Sequence, residues 1–131
     1  MLKDNQYFKE KQFKNQIVIH HTAGSGKAAN VIHGWDFNAE RVGTAFVIDA
    51  SGEVAKAFEP EYWAYHLGLK SISNSQLNKN SIGIEICNWG QLIKKSDGKY
   101  YNYINKEVPE SEVVQIPKFR GFEYYHKYND A

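Results

Sequence analysis

Three stretches of this 131-residue chain predict an α/β fold. Gln16 to His20 (QIVIH) is a short β-branched run, the signature of a strand. Lys27 to Phe37 (KAANVIHGWDF) spaces Val31, Ile32 and Trp35 for a short helix, with Ala28 one turn earlier; Gly34 weakens it. Ser81 to Cys87 (SIGIEIC) alternates as a strand does. It sets Ile82, Ile84 and Ile86 on one face and Gly83, Glu85 and Cys87 on the other.

The intervening segments follow in order. Residues 1–15 read as a polar lead-in. Gly43 to Asp49, the turn Ala50-Ser51-Gly52, and Glu53 to Phe58 read as a β-hairpin. Pro60 to Gly68 (PEYWAYHLG) is aromatic and irregular, and Leu69 to Asn80 is a polar loop rich in Ser and Asn. The run LIKKSDGKYYNY predicts a second hairpin turning at Ser96-Asp97-Gly98. The segment EVPESEVVQIPKFRGF is interrupted by Pro109 and Pro117, and the final residues are HKYNDA. The length suits one domain with a modest core.

Composition excludes several classes of function. Hydrophobic residues make up 42% and aromatic residues 15%, so the chain is globular and not disordered. A net charge of +1 without a basic block argues against a nucleic-acid partner. No apolar run is long enough to span a bilayer, and the first residues show no secretory signal. Cys87 is the single cysteine, so no internal disulfide framework exists. A monomer made in the cytoplasm is expected.

The stretch Ile19 to Lys27 (IHHTAGSGK) offers either a phosphate cradle or a metal ligand. A P-loop requires a glycine five residues before the second glycine and a hydroxyl after the lysine. Here those positions are His21 and Ala28, so the cradle is rejected. The histidines are His20, His21, His33, His66 and His126. His20, at a strand end, is well placed for a ligand, yet catalytic zinc takes about three protein ligands. Glu85 lies between Ile84 and Ile86, where a carboxylate is costly unless it is paired or useful. An edge-strand glutamate facing solvent fits the pattern equally well.

Three blocks in order, IVIHHTAG, VGTAFVIDASGEVAKAFEPEYWAYHLG and NKNSIGIEICNWG, resemble the zinc-dependent N-acetylmuramoyl-L-alanine amidases of the type-2 class. That class includes phage endolysins and shares its fold with peptidoglycan recognition proteins. The resemblance spans roughly residues 16–90 and implies a central mixed β-sheet flanked by helices. It also implies cleavage of the amide between N-acetylmuramic acid and the L-alanine of the stem peptide, with Zn²⁺ as cofactor and the muramyl peptide of the cell wall as partner.

The resemblance implies site residues too. His20 matches the first zinc ligand and His21 its chemically variable neighbour. Glu85 matches the catalytic carboxylate of one branch. The tyrosine of another branch falls at Thr44, which leaves Glu85 as the base. Tyr65 and His66 match the pair lining the substrate groove, and Asn88 follows as a groove residue. In the family the remaining ligands come after a long helix. His126 and Asp130 are too close together and too early to match them. The expectation is therefore a C-terminally incomplete domain whose further ligands lie beyond Ala131. The alternative is a peptidoglycan-binding module on the same fold that does not cut.

Overall fold

The β-branched run near the start of the chain forms β1 (Gln16–His21), and the helical spacing that follows forms α1 (Ala28–Trp35). This computed structural model describes residues 1–131. The first hairpin is β2 (Phe46–Ile48) and β3 (Val54–Lys56); then come α2 (Asn74–Asn80) and β4 (Ser81–Ile86). These four strands make one sheet in the order β1-β4-β2-β3. Strand β4 runs parallel to both β1 and β2, while β2 and β3 are antiparallel, so the sheet is mixed as expected. No helix is long and apolar enough to cross a membrane.

Alternation gives the sheet two unlike faces. Helix α1 lays Ala28 and Ile32 against the face carrying Val47 and Ala57, and these residues share one buried core with Ala45 and Phe58. Register places Glu85 directly between His20 of β1 and Val47 of β2 on this same face. On the opposite face Ile17 and Ile19 keep 66% and 55% of their surface in solvent, so this side of β1 is uncovered.

Asp49 ties the hairpin to α1. Its carboxylate accepts hydrogen bonds from the Ser51 hydroxyl at 2.5 Å, from the Ser51 and Glu53 amides, and from the amide of Ala28 in the first turn of α1. Lys27 at the N-cap offers no side-chain acceptor, so a residue from the neighbouring strand caps the helix instead. These donors, the Ser51 hydroxyl first, lower the carboxyl pKa from 3.8 to about 2. A depressed carboxylate contributes stability above its unfolded pKa and loses it as pH falls through the folded value. Chemical denaturation should therefore show the protein losing stability between about pH 4 and about pH 2 relative to Asp49→Asn. An unchanged difference across that interval would remove Asp49 from this role.

Three segments depart from the sequence reading. Residues 1–15 are not a detached polar lead-in, because Leu2 and Tyr7 enter the core and Phe8 stacks on Trp63 with centroids 4.0 Å apart. Charged neighbours hide these three apolar side chains. Residues 69–80 are not all loop, because the last seven form α2. Residues 91–126 build a second, antiparallel sheet in the order β7-β6-β5-β9-β8. Its strands are β5 (Gln91–Lys94), β6 (Tyr100–Tyr101), β7 (Glu107–Val108), β8 (Val113–Phe119) and β9 (Phe122–His126). Gly98, at φ +80°, makes the turn expected between β5 and β6. Pro117 is tolerated because β8 is an edge strand. Leu92, Tyr100 and Val108 form a small core for this sheet.

Candidate functional site

His20 and His66, 46 residues apart in the chain, meet across the α1 face: Nε2 of His20 lies 2.9 Å from Nδ1 of His66. Nε2 of His66 continues to the hydroxyl of Ser81 at 2.9 Å. One side chain holds the His66 backbone in place, and a second braces the helix that carries the first. Buried Asn78 of α2 accepts the amides of His66 and Leu67 at 2.7 and 2.9 Å, and its amide nitrogen bonds the Leu67 and Asn74 carbonyls. Lys14 closes the end of α2, donating to the carbonyls of Lys79 and Ser81. The sequence reading missed Asn78 and Ser81. The only sequence signal was position: Asn78 lies in the Asn- and Ser-rich run, and Ser81 opens β4 directly after it.

Asn78→Ala should orphan two backbone donors and destabilise the fold by about 2–4 kcal/mol, read as a shift of the urea midpoint. A change below about 1 kcal/mol would mean that water replaces the side chain.

Burial sets the charge of the site. It lowers the pKa of His66 to about 4, with the nearby His20 and Lys14 adding to the effect, so the ring is neutral at pH 7. Burial also lowers the pKa of His20. It pushes the Glu85 carboxyl up to about 7, and no hydrogen bond or ion pair to the protein offsets that cost. A half-buried carboxylate beside an imidazole and without a partner is a candidate for proton transfer.

The other residues named from the sequence separate into two groups. Tyr65 and His66 line one concavity of about 370 Å³ with Glu40, Val42, Leu67, Gly68 and Asn74. His21 lies on the opposite face from His20, its ring tight against Gly90 at the junction of the two sheets. Asn88 is buried, accepts the Gly90 amide at 2.7 Å and donates to the His126 carbonyl, and it borders a separate cavity with Cys87, Trp89 and His126. Neither joins the His20–Glu85 face. Thr44 is buried and donates its hydroxyl to the Phe46 carbonyl.

No group of three or more His, Cys, Asp or Glu side chains gathers in a way that could hold a metal ion. His20 can offer one nitrogen, and a catalytic zinc takes about three protein ligands. The residues present therefore do not complete a zinc site.

The family model described as N-acetylmuramoyl-L-alanine amidase matches residues 10–114. The chain belongs to this amidase family. No curated protein matches the chain. Among solved structures, a mutant form of PlyL shares 19% identity at a TM-score of 0.56, over 66% of this chain and 55% of that one. The PlyG catalytic domain shares 20% identity at 0.54, over 66% and 52%. A mutant endolysin from Bacillus subtilis shares 21% at 0.51, over 66% and 62%. At these identities the likeness speaks for the fold, which is the mixed α/β arrangement that the family resemblance implied. This member of the amidase family spans between 52% and 62% of the length of these solved structures.

Proposed function

We propose that this chain acts on peptidoglycan as an N-acetylmuramoyl-L-alanine amidase, hydrolysing the amide between N-acetylmuramic acid and the L-alanine of the stem peptide. The observation that carries the reading is Glu85: a half-buried, unpartnered carboxylate in register with His20, on a face walled by α1. Family membership supplies the substrate class.

Glu85 takes a proton from water as the water oxygen bonds to the carbonyl carbon. The protonated carboxyl then gives that proton to the nitrogen as the C–N bond breaks. One group near neutrality can serve both steps. Tyr65 and His66 border the concavity that receives the stem peptide in this reading. Zinc is the cofactor that the family resemblance implies, and His20 is the ligand this chain offers it. The donors gathered here fall short of its set. The same shortfall favours a second reading, a module that binds peptidoglycan without cutting it.

Digestion of purified peptidoglycan separates the two. The amidase reading expects new N-terminal L-alanine amines and no new reducing sugar ends. Binding to insoluble wall with no new amines would establish the module instead.

A further inference from the structure

Ser81 is buried at the junction of α2 and β4. Its hydroxyl oxygen lies 2.7 Å from the carbonyl oxygen of Leu77 and 2.9 Å from Nε2 of His66. A carbonyl oxygen only accepts, so the serine hydrogen goes to Leu77. Ser81 Oγ must then accept from His66, which places the ring hydrogen of His66 on Nε2. In a neutral ring this leaves Nδ1 bare. The His66 ring bonds no carboxylate, and its two contacts are Ser81 and His20. The bare Nδ1 faces Nε2 of His20 at 2.9 Å, and His20 is therefore the donor.

We propose that Ser81 is a positioning residue that fixes the direction of the chain His20 to His66 to Ser81 to the Leu77 carbonyl. It thereby determines that Nδ1 is the nitrogen of His20 left with a free lone pair. The Leu77 carbonyl acts as the anchor, since it cannot reverse its role. This refines the site assigned under the proposed amidase reading and rests on that reading for its catalytic meaning. The tautomers themselves do not depend on it. An ordinary buried serine would merely fill space. Here its orientation is transmitted through two imidazoles to the atom beside Glu85's strand that meets a proton or an electrophile.

Long-range proton–nitrogen correlation spectra of the full, nitrogen-15-labelled chain in metal-free buffer test this directly. Wild type should show His20 and His66 both protonated at Nε2. In Ser81→Ala, His66 should become a mixture of tautomers and His20 should follow, while Ser81→Thr, which keeps the hydroxyl, should restore the wild-type pattern. Peptidoglycan hydrolysis should fall about 10- to 100-fold in Ser81→Ala and recover in Ser81→Thr. An Nδ1–H tautomer on either ring of the wild type overturns the proposal even if no variant folds. So does an unchanged His66 tautomer in a folded Ser81→Ala. A chain with the expected tautomers but no hydrolysis would instead overturn the amidase reading and leave Ser81's role intact.

Discussion

Glu85→Gln is expected to leave the chain folded and bound to peptidoglycan while amide hydrolysis falls by about 10²–10⁴-fold, the scale of a lost general base. The amide keeps the shape of the carboxylate and cannot take a proton. Because burial holds the carboxyl near pH 7, the basic form accumulates only as pH rises through about 7. Activity of the wild type should rise over the same interval, and the residual activity of the variant should not.

Stability carries the same signature with a defined sign. Between about pH 4.5 and about pH 7 folded Glu85 retains a proton that the unfolded chain has released, so its contribution weakens the fold as pH rises. His66 acts the other way between about pH 4 and pH 6.5, where the unfolded chain binds a proton that the folded ring refuses. The two offset each other in the wild type. Glu85→Gln should therefore gain stability over wild type on going from pH 4.5 to pH 7.5, measured by denaturant midpoints. Turnover within a few-fold of wild type, or no relative gain, would sink the assignment of Glu85.

Gly83→Ala should be the second damaging change. A Cβ at this position would stand 2.8 Å from Cγ2 of Thr44 and 3.0 Å from Cγ and Nδ1 of His66. Something must move, and the imidazole has the open concavity beside it. The expected result is loss of the His20–His66 contact, a destabilisation of about 1–3 kcal/mol and a drop in hydrolysis of about 10²-fold. Adding Thr44→Ser removes one of the two clashing groups and should return part of the stability. A Gly83→Ala variant with wild-type activity would mean that the groove tolerates a displaced His66.

Much of the first sheet is legible in the sequence because its strands are β-branched and alternate cleanly. QIVIH and SIGIEIC could hardly be anything else, and their alternation already placed Glu85 on the opposite face from Ile84. Helix α2 was hidden because Asn and Ser are weak helix formers. Buried side-chain hydrogen bonds from Asn78 stabilise it, and no local pattern reports those. The second sheet was obscured by strands of two to seven residues and by two prolines, one of them at an edge that excuses it. The site divides the same way. His20, His66, Tyr65 and Glu85 are visible as residue types at telling positions. That the Asn88 side chain also locks a turn, by accepting the Gly90 amide, depends on the backbone around it and has no signal in the sequence.

Strand β1 has a neighbour on one side only, β4. His20 is therefore carried by the strand that a thermal fluctuation can peel away while the remainder of the sheet stays zipped. Opening of that single ladder would take His20 away from Glu85 and His66 at a small fraction of the cost of melting the domain. Amide protons of β1 should exchange with solvent sooner than those of β2 and β4, and on warming, activity should disappear several degrees before the fold does.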